Sequence, residues 1–293
     1  MRDQLFPISE ELIISGISAS VNHSACTIFI AYRIDIRFQT GNLKRHWGVK
    51  EYNLSENCVP RLIDEAYGKN SKRILGICFV NATKTLVICS EEVVNNNRGI
   101  WMVALSRRGL KYRIEDQSFF NTRLGKVHIA ELSDGRILCG QLTTAYFHLQ
   151  IMQLQLNHQI RKISPIKTAE KFFGFDARVV NDKTLVAFIS CDKSQVRIYQ
   201  LIACKSLQYV CHMYHLKISK ILWYENRLLA GCWNSKTLSV VEVKFFGGAH
   251  VSCDPSTVLL DYNIYHWCTS DKYIVIIDYD NKSLHLYSTN IMQ

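Results

Sequence analysis

The chain has 293 residues, 48% of them hydrophobic and 20% charged, with four prolines and a formal net charge of +10. This composition excludes a disordered chain, and no apolar run approaches the roughly 18 to 20 residues of a membrane-spanning helix. Closed all-β architectures of this length often form one unit, so a single domain over residues 1–293 is expected. The first ten residues hold no apolar stretch of signal-peptide type, which gives an expectation of an intracellular protein, in nucleus or cytoplasm.

In chain order, Leu5, Phe6 and Ile8 form a first short strand candidate, with Leu12 to Ser18 as the alternative. Ile17 to Val21, Cys26 to Tyr32, Ile34 to Phe38 and Trp47 to Leu54 follow as strands, and Cys58 to Lys72 suits a loop or short helix better. From there a pattern repeats: an apolar strand, a polar turn, a strongly apolar strand, a second polar turn and an alternating strand. Its early copies are Ile77 to Val80 with Thr85 to Cys89, and Val127 to Leu132 with Ile137 to Gly140. Fuller copies run from Ala177 to Leu201, from Ile221 to Val243 and from Ile274 to Ser288. The first turns, at Asn81, Asp134, Asn181, Glu225 and Ser270, lie 53, 47, 44 and 45 residues apart by subtraction.

Periods of this length mark propeller blades. The expected fold is an all-β propeller of about six four-stranded blades, seven being the alternative, near residues 10–72, 73–124, 125–171, 172–219, 220–261 and 262–293 with 1–9. Inner strands of such blades are covered on both faces and lose their alternation, as Leu185 to Ile189 and Ile274 to Ile277 do. The last unit shows three strands, so the N-terminal segment Arg2 to Ile8 is expected to pair with Lys282 to Tyr287 and close the ring.

The Ser133-Asp-Gly and Asn181-Asp-Lys turns, each followed by an apolar strand, resemble the WD-repeat superfamily over about residues 73–293, with Ile198-Tyr199 and Leu286-Tyr287 where that family often has Trp-Asp. The resemblance implies a scaffold for protein complexes, or in some members a nucleic-acid binder.

No phosphate loop, nucleophile elbow or paired-histidine metal motif is present, and no spacing announces carboxylates or histidines converging on a central channel. Cys204, Cys211, His212 and His215 are the densest group of metal-donor residues, but their spacing fits no zinc finger, and Cys211 and His212 should point to opposite faces of a strand. The eleven cysteines, among them Cys78, Cys89, Cys139, Cys191 and Cys232, read as reduced thiols in apolar strands. The expectation is therefore a non-enzymatic scaffold with no catalytic, cofactor or metal residues. Its partners would be one or more proteins, with no membrane and no homo-oligomer.

The alternative function is nucleic-acid binding through basic groups expected between strands: Lys44, Arg45, Arg107, Arg108, Lys111, Arg113, Arg161, Lys162, Lys167 and Lys171. Phe119, Phe120, Phe245 and Phe246 are the aromatic residues expected to be exposed beside turns.

Overall fold

The computed structural model describes residues 6–7, 13–19, 26–37, 43–54, 60–68, 71–94, 97–106, 111–120, 126–132, 135–143, 147–155, 160–168, 170–180, 182–214, 218–224, 227–246, 250–269, 273–280 and 283–288. Every regular element among them is a strand. A two-residue strand, β1 (Phe6–Pro7), comes first, and the first sheet follows as β2 (Ile13–Ala19), β3 (Cys26–Arg37), β4 (Leu43–Leu54) and β5 (Pro60–Gly68). The second sheet is β6 (Ser71–Val80), β7 (Thr85–Val94), β8 (Asn97–Ser106) and β9 (Lys111–Phe120). The third is β10 (Lys126–Glu131), β11 (Arg136–Leu142), β12 (Phe147–Leu154) and β13 (Ile160–Ile166). The fourth is β14 (Phe172–Val180), β15 (Lys183–Ser190), β16 (Gln195–Ile202) and β17 (Ser206–Tyr214). The fifth is β18 (Lys220–Tyr224), β19 (Arg227–Gly231), β20 (Thr237–Phe246) and β21 (His250–Leu259). The sixth joins β22 (Ile264–Thr269), β23 (Tyr273–Asp278) and β24 (Ser283–Ser288) to β1, which pairs Phe6 with Leu284 and Pro7 with Ser283.

The arrangement is a β-propeller, and its closure is visible in the packing. Five sheets are antiparallel meanders and the sixth adds β1 to a three-stranded meander, and the first strands β2, β6, β10, β14, β18 and β22 touch one another in a closed circle. A hydrophobic cluster lies between each neighbouring pair of sheets. Phe29 and Val49 meet Phe79 and Ile88 between the first and second sheets, and Val87 and Met102 meet Ile137 and Met152 between the second and third. Leu138 and Ile151 meet Phe172 and Phe188 next, Leu185 and Ile198 meet Trp223 and Leu228, and Leu229 and Leu238 meet Trp267 and Ile276. The circle ends where Val275 and Leu284 pack on Ile28 and Ile30.

Burial follows from position in the sheet. The second strands are sandwiched on both faces, so Val186, Ala187 and Phe188 are fully buried. The outer strand β17 leaves Tyr209 and Tyr214 exposed. Four first strands carry a register shift, at Ser15, Leu75, Phe173 and Tyr265. Register shifts of this kind bend a strand and re-aim a side chain.

Several expectations are corrected here. Residues 60–68 form the outer strand β5: pairing with β4 overrides the helix preference of Leu62, Glu65 and Ala66. Cys26 to Arg37 is one strand of 12 residues and not two short ones. Cys191 is exposed in the turn between β15 and β16, and Cys232 is half-buried beyond β19, while Cys78, Cys89, Cys139 and Cys268 are buried; none of these six forms a disulfide. Burial pushes the Cys78, Cys89 and Cys139 thiols up.

Candidate active site

First strands of a propeller do not hydrogen-bond to one another laterally, because their ladders run outward within each sheet. Something else must tie the inner circle. Polar side chains do so here. Ser18 Oγ on β2 accepts from the Phe79 amide on β6 at 3.0 Å. Glu131, at the end of β10, accepts from the Asn81 amide and the Asn81 side chain, each at 2.6 Å, and from the Ala82 amide at 3.3 Å. Asp176 Oδ2 on β14 accepts from the Trp223 amide on β18 at 2.6 Å. Lys220 Nζ donates to the Trp267 carbonyl on β22, and Thr269 Oγ1 donates back to the Trp223 carbonyl at 3.3 Å.

These side chains line a cavity of about 620 Å³ along the channel, together with His128, Arg178 and His266. Alternation within β10 and β14 places His128, Ala130, Asp176 and Arg178 on faces spaced by two residues. Three of the lining groups have altered acidity. Burial raises the Asp176 carboxyl to about 6 from its ordinary 3.8, against the pull of the Trp223 and Ala177 amides and of the Lys220 charge. Burial lowers Lys220, which Cys268 and Asp176 partly counter. Burial, helped by the charges of Lys126 and Lys220, lowers His128 to about 4, and a hydrogen bond with the Phe173 backbone works the other way. Burial also raises Glu131, although its three amide donors oppose the shift.

His128 is therefore neutral near pH 7, and its Nε2 is buried with no hydrogen-bond partner. Its ring fits because residue 174 is glycine: a Cβ there would lie 2.9 Å from His128 Cε1. Asp176 Oδ2 accepts from the Trp223 amide, and the residue lines the cavity. A carboxyl titrating near 6 beside a buried ammonium is a competent proton donor or acceptor.

Of the basic residues anticipated from sequence, six lie within strands. Lys44 and Arg45 lie within β4, Lys111 and Arg113 within β9, and Arg161 and Lys162 within β13, so these do not sit in loops between strands. Arg161, Lys162, Lys167 and Lys171 are exposed. Arg107 and Arg108 lie outside the described residues. Of the described side chains, Arg161, Lys162, Lys167 and Lys171 do not line the cavity. Phe119 and Phe120 end β9, and Phe245 and Phe246 end β20.

The Cys204 group does not gather. Arg136 donates to Cys204 Sγ at 2.5 Å, whereas His212 packs between Tyr209 and Tyr214 on the rim, and His215 lies outside the described residues. Among the described residues no three His, Cys, Asp or Glu side chains are set to hold a metal ion.

In the sequence Lys220 stands with Lys217 as one of several short basic groups, and neither His128 nor Asp176 is singled out as a site residue. The available signal was a polar residue breaking the first apolar strand of a unit, as in Val127-His-Ile, Phe175-Asp-Ala and Lys220-Ile-Leu.

No family model matches the chain, and no curated protein matches it either. Solved structures do. The Pseudomonas aeruginosa periplasmic gluconolactonase PpgL is similar at a TM-score of 0.58 and 9% identity, covering 92% of this chain and 80% of that one. A Thermus thermophilus protein described as an oxidoreductase (glucose dehydrogenase) is similar at 0.56 and 8%, covering 98% and 100%. The Dos1 propeller is similar at 0.50 and 12%, covering 94% and 77%.

At these identities the likeness establishes the propeller fold alone. It also overturns two expectations. Two of these structures bear enzyme names, so the reading of the chain as a non-enzymatic scaffold or nucleic-acid binder is corrected: this fold houses catalysis, and missing motifs do not argue against it. One of them is periplasmic, so the assignment to nucleus or cytoplasm, which rested on the first ten residues, is withdrawn. No helix among the described residues is long and apolar enough to cross a membrane.

Proposed function

We propose that this chain is a six-bladed, divergent WD-like propeller that acts as an enzyme on a small polar metabolite held in its central cavity, by general acid–base chemistry. The observation that supports the reading is that Asp176 and Lys220, on the neighbouring first strands β14 and β18, both line one cavity of about 620 Å³. That volume suits a sugar-sized ligand. Asp176 would move the proton at its carboxyl, and the Lys220 ammonium would stabilise negative charge developing on a substrate oxygen. The enzyme names borne by two similar structures direct the first choice of substrate to sugar lactones and aldoses.

The test is a panel assay: hydrolysis of aldonolactones followed by pH indicator, and oxidation of aldoses followed with an artificial electron acceptor. Turnover that is lost in Asp176→Asn supports the reading. No turnover of any panel member, or turnover indifferent to Asp176→Asn, overturns it.

A further inference from the structure

Next to the cavity residues Val127, His128 and Lys220 lie two basic residues, Lys126 and Lys193, that do not themselves line the cavity. Lys126 opens β10, Lys220 opens β18, and Lys193 sits in the turn between β15 and β16, which the antiparallel ladder returns to the start of β14. Lys126 and Lys193 thus meet where β10 and β14 begin, and the Lys126 and Lys220 charges both act on His128. β14 carries its register shift at Phe173, at the same end, and two ammonium groups converge on that ring. Lys126 Nζ is 3.6 Å from the ring centroid and Lys193 Nζ is 4.4 Å from it.

One cation on an aromatic ring is a common stabilising contact. Two on one ring repel each other, and the Lys193 charge is one of the causes that lower the affinity of Lys126 for its proton, after burial. Among the described residues, the ion pairs Arg197 with Glu170 and His285 with Asp278 do not touch this group. Asp192, next to Lys193 in the chain, spends its carboxylate on the hydroxyls of Ser190 and Ser194. Two residues along β10, on the face that carries Lys126, stands His128 with its orphaned Nε2. Like charges packed with no opposite charge against them among the described residues leave a site that an anion turns from repulsive to attractive.

We propose that the strand-start mouth of the channel binds an oxyanion, with Lys126 and Lys193 holding the phosphate or carboxylate group of a small ligand whose remainder enters the cavity past His128. This rests on the reading of the cavity as a substrate site and deepens it: the substrate is anionic. Phe173 keeps the two ammonium groups apart and supported, so the group that enters meets preorganised donors.

The experiment is calorimetric titration of the full chain with inorganic phosphate and with acetate at fixed ionic strength, in the wild type, in Lys126→Gln/Lys193→Gln and in Asp176→Asn. Expected is saturable binding of one of the two anions to the wild type and to Asp176→Asn, weakened at least tenfold in the double lysine variant, whose melting midpoint stays within a few degrees of the wild type. Tighter binding of phosphate assigns the ligand to phosphate esters, and tighter binding of acetate assigns it to carboxylates. No saturable binding in the wild type, or equal binding in the double variant, overturns the proposal. Anion binding without turnover of any neutral or anionic lactone or aldose would sink the catalytic reading and leave the anion site standing; turnover without anion binding would do the reverse.

Discussion

The Trp223 amide donates to Asp176 Oδ2 at 2.6 Å, so the carboxyl that would do chemistry in the channel is also a strut between the fourth and fifth sheets. The two roles separate by substitution. Asn at 176 keeps an oxygen for the Trp223 amide and cannot titrate. Ala leaves that amide without an acceptor, at a cost of about 1 to 3 kcal/mol. Asp176→Asn is expected to melt close to the wild type with activity down at least a hundredfold, and Asp176→Ala to lose both. A thermal melt beside the panel assay checks this, and retention of full activity in Asp176→Asn would leave Asp176 a strut only.

Asp176 and His128 pull the stability of the fold in opposite directions over one pH range. Asp176 has a folded pKa of about 6, above its ordinary 3.8, so the folded state holds the extra proton and this stabilisation is lost as pH rises from about 4 to 6. His128 has a folded pKa of about 4, below its ordinary 6.5, so its contribution is lost as pH falls through the same range. Each amounts to about 3 kcal/mol, and they offset one another. Glu131, raised by burial, adds with the sign of Asp176. Relative to the wild type, Asp176→Asn should gain stability from pH 4 to 6, and His128→Asn should lose it. Denaturant unfolding at half-unit pH steps measures both differences, and parallel curves for all three proteins would contradict the assignment.

The glycine at 174 tests whether His128 is held as described. Its missing Cβ leaves room for the imidazole, with His128 Cε1 only 2.9 Å from where that carbon would be. Gly174→Ala is expected to cost about 1 to 3 kcal/mol. The change must come with displacement of the ring, visible as altered His128 titration by NMR. Unchanged stability and titration would mean that the contact relaxes freely.

What the sequence disclosed and what it hid have separate physical causes. The second strands, such as Leu185 to Ile189 and Ile274 to Ile277, are covered on both faces and therefore announce themselves as apolar runs. Between them, turns such as Ser133-Asp-Gly mark the hairpins, and Gly135 does adopt the left-handed conformation, at φ 73°. β5 was obscured because an outer strand needs only one dry face, and Pro60-Arg-Leu-Ile-Asp-Glu-Ala has no alternation strong enough to show it. The channel stayed hidden for a different reason. Its residues come from separate first strands, one or two from each, so His128, Asp176 and Lys220 converge only through ring closure, and 48 and 44 residues of chain separate them by subtraction. A recurrent hydrophobic-x-Gly step, Ile14-Ser-Gly, Ile74-Leu-Gly and Phe172-Phe-Gly, marks the bulges of three first strands and was the sequence signal most open to use.

The last test concerns the closing of the ring, which rests on two unlike devices. One is the backbone pairing of β1 with β24, through Phe6 with Leu284 and Pro7 with Ser283. The other is the cluster in which Val275, Ile277, Leu284 and Leu286 pack on Ile28 and Ile30 of the first sheet. Deleting residues 1–9 removes the first and spares the second, so the ring should loosen and stay assembled. β24 would then present an unpaired edge, with Leu284 3% exposed in the intact protein and newly accessible to solvent along its backbone. The loss is expected to be about 2 kcal/mol, from a few backbone hydrogen bonds at about 1 kcal/mol each together with fraying of β24. The measured signs should be a melting midpoint lower by a few degrees and faster amide exchange confined to Ser283–Ser288. An unchanged midpoint with unchanged exchange at Leu284 would show that the cluster alone closes the ring, and exchange accelerated through all six sheets would show that the two-residue strand holds the whole circle shut.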